Sequence, residues 1–194
     1  VPTLFSSTAD SRSLDLSAYP AGVTINLDST SVQSFTGVPS LRLATSIENF
    51  LGTSFADAVS ARPLALPRRL QGGGGVGDAL TIDALGATIL LTPSSLFFTA
   101  TPAGVGPLAP ITFSGFATVR INNAAGAVAL VADARANLAS LTLVGADLTY
   151  AIEDGPILTV AGIASSSFRA LAGDDAVSLN LATGTLSVDG GAGN

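Results

Sequence analysis

Short apolar runs with a period of two recur along the chain. Val23, Ile25 and Leu27 alternate with Thr24 and Asn26, and Val119 and Ile121 flank Arg120. Val177, Leu179 and Leu181 repeat the pattern, followed by Leu186 and Val188. Successive side chains of an extended strand point to opposite faces, so each run predicts a strand with one apolar side. Clusters of Gly and Pro at 72–77, 102–110 and 155–156 separate the runs as turns. The stretches 46–51 and 132–138 have the outline of short helices, too brief to change an all-β reading.

The runs are also self-similar. Asp57-Ala58-Val59, Asp78-Ala79-Leu80, Gly126-Ala127-Val128 and Asp175-Ala176-Val177 follow one another at spacings of 21, 48 and 49 residues. PITFSGFATV from Pro110 resembles PILTVAGIAS from Pro156, which aligns Gly115 with Gly162 and Phe116 with Ile163. SIENFLGTSFADAV at 46–59 shares its outline with AGIASSSFRALAGDDAV at 161–177. Together these predict one repeat-built β domain over 1–194, with repeats near 14–61, 78–130 and 138–181 and loops at 62–77 and 92–110. A period near 48 suits a coil of about 21 to 25 residues used twice, and stacked coils bury an inner row that no single coil can bury. The expectation is a parallel β-solenoid, or β-helix. A β-sandwich of repeated hairpins satisfies the same alternation.

Composition narrows the function. Charged residues are 11% of the chain, against about 25% in ordinary domains, while 47% is hydrophobic. Lysine is absent, and glutamate occurs only at Glu48 and Glu153. A net charge of -6 with Arg68-Arg69 as the sole basic pair argues against nucleic acid. No apolar run reaches the roughly 18 residues of a membrane span; the best, 84–92, stops at Pro93. The start at Val1 and the close on GGAGN predict a segment of a longer polypeptide.

With neither cysteine nor histidine, disulfides, thiolate metal sites and histidine-dependent triads are excluded. Paired carboxylates remain, but Glu153-Asp154 are neighbours ahead of Gly155-Pro156 and read as an exposed turn. Glu48 reads as a cap or turn contact. Arg120 and Arg169 are the arginines a polysaccharide lyase would use, and nothing in the spacing brings them together. Tryptophan is absent, tyrosine is confined to Tyr19 and Tyr150, and Phe97, Phe98, Phe113 and Phe116 read as core. The four glycines at 72–75 read as a turn, since no Lys-Ser/Thr follows to make a phosphate loop. No enzyme is expected.

LDLSAYPAGVTINLDSTSV at 14–32, ATSIENFLGTSFADAVSA at 44–61 and GDDAVSLNLATGTLSVDGGAGN at 173–194 resemble modules of giant secreted bacterial proteins related to the RTX, or repeats-in-toxin, calcium-binding family. That resemblance covers about a third of the chain. It implies secretion, a location outside or on the surface of a bacterium, and calcium-dependent folding. The family's nonapeptide is G-G-x-G-x-D-x-U-x, in which aspartates and carbonyls of successive copies cage the ion. Here the copies are degenerate: 52–60 keeps Gly52, Asp57 and Val59, 170–178 keeps Gly173, Asp175 and Val177, and 74–82 carries Asp78 one place early. Asp57 and Asp175 are thus the candidate calcium ligands; the alternative is a turn cap whose carboxylate accepts backbone N–H groups. Asp174 reads as a solvated turn residue. The functional expectation is a building unit of a fibre, surface layer or adhesin stalk that associates with itself. Binding of surface glycans is the alternative, and a calcium-dependent lyase a distant third.

Overall fold

The structure is a computed structural model that describes residues 6–8, 11–35, 40–123, 126–132, 138–152, 155–170, 175–182 and 185–190. Among the described residues there are twenty strands and no helix. β1 (Ser6–Thr8) and β2 (Ser11–Asp15) form a hairpin in the first sheet, and the chain crosses to a second sheet as β3 (Thr24–Asn26). A small hairpin of β4 (Val32–Gln33) and β5 (Leu41–Arg42) stands on the return path to β6 (Asn49–Leu51). The chain then alternates sheets through β7 (Ala58–Ala61), β8 (Arg68–Gln71) and β9 (Ala79–Asp83). Within each sheet these strands pair in parallel: β2 with β6 and β6 with β8, β3 with β7 and β7 with β9.

Two meanders interrupt the alternation. β10 (Thr88–Thr92), β11 (Ser95–Ala100) and β12 (Ile111–Ser114) stay in the first sheet and fold back until β12 lies parallel to β8. β13 (Thr118–Asn122) then pairs with β9, and β14 (Ala127–Val131) with β10. β15 (Leu138–Val144), β16 (Asp147–Ile152) and β17 (Ile157–Ala161) make the same excursion in the second sheet, ending beside β13. β18 (Ser165–Arg169), β19 (Ala176–Leu181) and β20 (Leu186–Asp189) continue in parallel from β14, β15 and β18. The result is a ten-stranded and an eight-stranded mixed sheet, with the two-stranded β4–β5 pair beside them. Antiparallel neighbours are confined to the two small hairpins and the two meanders.

The period near 48 has a specific structural meaning. Asp57 to Asp78 advances the chain by one bare circuit, from β7 to β9 in the same sheet. Ala79, Ala127 and Ala176, at spacings of 48 and 49, open β9, β14 and β19, which lie in the second, first and second sheets. One period spans five strands, an odd number, so it exchanges the sheets. Gly115 and Gly162 fit this relation: each follows the last strand of a meander with φ of 72°. The expectation of two equal coils per period is therefore corrected to two crossing strands and one three-strand meander.

Period-2 alternation places the apolar residues of both sheets in one buried cluster. Leu70, Ile89, Leu91, Leu130 and Phe168 of the first sheet meet Ile82, Ile121, Leu141, Tyr150 and Leu158 of the second. Each fully buried side chain of this size contributes on the order of 1.5–3 kcal/mol relative to leaving it in water. Tyr150 and Phe168 pack ring to ring at 5.6 Å across the core. Val23, Ile25, Leu27, Val119 and Ile121 are buried as their spacing predicts, whereas Leu179, Leu181 and Val188 are exposed because they lie in the outermost row.

Three local expectations are corrected. Residues 49–51 of the expected helix at 46–51 are strand β6; the bulk of the other, 133–137, lies outside the described residues. The segments 62–77 and 92–110 are not wholly loops, since they contain β8 and β11. Both strands are held by neighbours on each side, which propensity alone does not reveal.

Candidate functional site

Two buried carboxylates stand where the chain enters the second sheet. Asp57 precedes β7 and Asp78 precedes β9, and the parallel register stacks one above the other. Asp57 Oδ1 accepts the N–H of Val23 from the preceding row at 2.8 Å and the Thr53 hydroxyl at 2.9 Å. Its Oδ2 accepts the Thr53 N–H at 2.6 Å. Asp78 repeats the contact one row on, its Oδ1 accepting the Asp57 N–H at 2.8 Å. Each aspartate therefore caps the backbone of the row before it. Burial raises the Asp78 pKa above its ordinary 3.8, and the neighbouring charge of Asp57 adds to the rise against the hydrogen bonds from Asp57 and Gly75. Asp78 Oδ2 is buried and meets no hydrogen-bond donor.

The glycines beside this corner serve packing. Gly52 and Gly72 donate their N–H groups to Gln71 and Ser114 of the following rows at 2.8 and 2.9 Å. A Cβ on Gly52 would strike the carbonyl of Gly72, and one on Gly72 the carbonyl of Gly115. Gly73 adds a left-handed φ of 98°. Gly72, Gly73 and Gly75 are thus pressed against neighbouring backbone, while Gly74 faces open space.

The fit of this corner to calcium is poor. A cation needs free lone pairs, and three of those on Asp57 are already directed at N–H and O–H donors. Asp57 and Asp175 immediately precede β7 and β19, which are six strand spacings apart, roughly 29 Å at about 4.8 Å each. They serve no common ion. Among the described residues no three acidic, cysteine or histidine side chains gather as a metal group. Asp175 itself is half-buried at the start of β19, and 171–174, including Asp174, lie outside the described residues.

A second charged cluster lies where the chain enters the first sheet. Arg12, Glu48 and Arg68 occupy the same inward register position of β2, the residue before β6, and β8. Arg12 Nε meets Glu48 at 2.9 Å. Arg68, with a fully buried side chain, meets Asp28 at 2.9 Å and donates also to the Arg62 carbonyl. Burial lowers the Arg68 pKa below the ordinary guanidinium value, and the charges of Asp28 and Glu48 oppose that shift. Glu48 is therefore corrected from a backbone cap to one member of an alternating row of charges. Its carboxylate and that of Asp28 compensate the buried guanidinium. Arg68 Nε and Nη2 meet no acceptor.

The remaining candidates are dispersed. Arg120 lies on the outer face of the second sheet and donates to Asn122 at 3.1 Å. Arg169 lies on the first sheet and pairs with Asp189 at 3.3 Å. Glu153 and Asp154 lie outside the described residues. Tyr19 and Tyr150 are buried, as are Phe113 and Phe116; Phe98 packs on the core, and Phe97 is corrected to an exposed position. A shallow groove of about 280 Å³ runs beside the β10–β11 turn, lined by Arg69, Leu70, Ser94, Ser95, Thr112, Phe113 and Ser114. A smaller one of about 100 Å³ lies on the other side of Arg69, with Ser13, Asp15, Asn49 and Gln71 along it. No residue pattern announced these grooves, because strand pairing alone collects their linings. No helix among the described residues is long and apolar enough to cross a membrane.

No protein-family model, no curated protein and no solved structure matches the chain.

Proposed function

We propose that the chain is a segment of a parallel β-solenoid and serves as a non-enzymatic building unit of a bacterial cell-surface or secreted assembly, acting by self-association. The observation that carries this reading is the row-on-row register. Each circuit lays its apolar face and its backbone ladder onto the one before, so a further row can add by the same contacts. The Asp57 and Asp78 caps support it, since they tie backbone to backbone between rows. The resemblance to RTX-related modules supports the location outside the cell. Sedimentation velocity and small-angle scattering over a hundredfold concentration range test the proposal. An elongated particle whose mass grows with concentration is expected; a compact particle that stays monomeric would overturn it.

Glycan binding is the second reading, favoured by the hydroxyl- and amide-lined grooves on either side of Arg69. Screening acidic and neutral glycans against the protein and Arg69→Ala tests it, with loss of a positive signal in the variant as the expected result.

A further inference from the structure

The outer face of the first sheet carries an arginine that nothing in the chain engages. Seven arginines lie among the described residues. Arg12, Arg62, Arg68 and Arg169 meet carboxylates, Arg42 donates to the Thr30 carbonyl, and Arg120 donates to Asn122. Arg69 is exposed and alone makes no ion pair or side-chain hydrogen bond. It stands on neither an edge nor a loop, since β8 is held between β6 and β12. The register sets Arg69 in one outward row with Ser13, Asn49, Thr112 and Ser95. That row crosses four strand spacings, roughly 19 Å at about 4.8 Å each.

The grooves of about 280 and 100 Å³ meet at this guanidinium, and their two sides differ in charge. On the β12 side the other polar side chains are the hydroxyls of Ser94, Ser95, Thr112 and Ser114, with Arg69 as the one charge. On the β6 side stand the amides of Asn49 and Gln71 and one carboxylate, Asp15, which the Ser17 N–H holds at 2.8 Å. The side chains of Asn49, Gln71, Ser94, Ser95 and Ser114 make no hydrogen bond within the chain. Hydroxyls and amides both donate and accept, as sugar hydroxyls require. A guanidinium presents a planar fork of N–H donors that matches a carboxylate, and paired strands on each side hold its backbone in place.

Resting on the glycan-binding reading above, we infer that this face binds an acidic polysaccharide in which a uronic-acid residue adjoins a neutral one. The uronate carboxylate meets the Arg69 fork over the larger groove, where serine and threonine hydroxyls complete its hydrogen bonds. The neutral neighbour lies on the β6 side, its hydroxyls met by Asn49, Gln71 and Asp15. Asp15 sets the order, because a second carboxylate in that groove would face a like charge. The saccharide therefore runs across the strands, along the outward row. Shallow grooves bury little of a ligand, which sets a dissociation constant on the order of 0.1–1 mM.

Hyaluronan oligosaccharides, in which glucuronate alternates with a neutral sugar, are the probe, titrated into isotope-labelled protein and followed by amide NMR shifts. Shifts centred on Asn49, Arg69 and Thr112 are expected. Reducing the probe's carboxylates to alcohols, or Arg69→Gln, should weaken binding by roughly tenfold to a hundredfold. Arg69→Lys should recover only part of that loss, since it keeps the charge without the fork. Arg120→Gln, on the outer face of the other sheet, should bind as the unaltered protein does. Oligogalacturonate, charged at every residue, should bind more weakly than the alternating probe, and Asp15→Asn should narrow that gap. Equal binding of the native and reduced probes overturns the carboxylate assignment and leaves glycan binding standing. Inorganic phosphate bound as tightly as the oligosaccharide, or no response to any saccharide, overturns both.

Discussion

Asp57 and Asp78 look alike in sequence and occupy equivalent places in successive rows, yet the structure makes their replacement by asparagine unequal. Asp57 accepts three hydrogen bonds, two of them from buried backbone N–H groups. Asparagine has one acceptor oxygen, so in either orientation its amide faces one of those N–H groups and leaves it unmet. An unsatisfied buried donor costs about 1–3 kcal/mol, and Asp57→Ala, which strands both, about 2–6 kcal/mol. Asp78 has one oxygen engaged and the other without a donor. Asparagine keeps the acceptor for the Asp57 N–H, removes a buried charge and removes its repulsion with Asp57. Asp78→Asn is therefore expected within about 1 kcal/mol of the unaltered protein at neutral pH, or more stable. The pH dependence follows with a definite sign. A carboxyl whose folded pKa is raised stabilises the fold when protonated, and that contribution is lost as pH rises from 3.8 through the higher folded value. Acidification from neutrality toward pH 4 should thus stabilise the unaltered protein relative to Asp78→Asn. Asp15 acts in a separate window: hydrogen bonds from Ser17 lower its pKa, so its contribution is lost only below 3.8. Urea unfolding followed by far-ultraviolet circular dichroism at several pH values measures all of this. An Asp78→Asn protein as unstable as Asp57→Asn, or with an undiminished response to pH between 4 and 7, would refute the reasoning.

Other outcomes follow from the packing and charge of the interior. Arg68→Ala leaves Asp28 and Glu48 without their buried cation and should cost about 3–5 kcal/mol in urea unfolding, whereas Arg68→Met combined with Asp28→Asn should recover most of it. Gly72→Ala should cost about 1–3 kcal/mol or more by collision with the Gly115 carbonyl, while Gly74→Ala, which meets open space, should change stability by less than about 0.5 kcal/mol; thermal melts separate the two. Phe168→Ala should lose about 3–5 kcal/mol and perturb the near-ultraviolet signal of Tyr150, its ring neighbour.

How far the sequence revealed this architecture depended on what each residue was paired with. VTINL and TVRIN announce their buried faces because apolar and polar residues alternate without exception. RRLQ does not, since its leading inward position is Arg68, whose compensating Asp28 is 40 residues away in the chain. SLFFTA carries adjacent phenylalanines, and its pairing with β10 contains a register shift that breaks the simple alternation. The corner at Asp78 escaped the nonapeptide spacing by one residue, yet its carboxylate does for Asp57 what Asp57 does for Val23. The glycine turn before it absorbs the displacement. The grooves beside Arg69 were invisible because parallel pairing assembles them from five separate strands and a hairpin tip.

The odd strand count of the 48-residue period governs how such a chain can lengthen. A single duplicated unit hands each outward residue to the opposite side of the molecule, so a patch shaped on one side reappears there only after a second unit. Ancestral gain or loss of one copy would rotate the surface identity of everything downstream by half a turn while leaving the interior intact. Pairs of units are therefore the smallest modules that such a protein can exchange without rearranging what it shows to its surroundings.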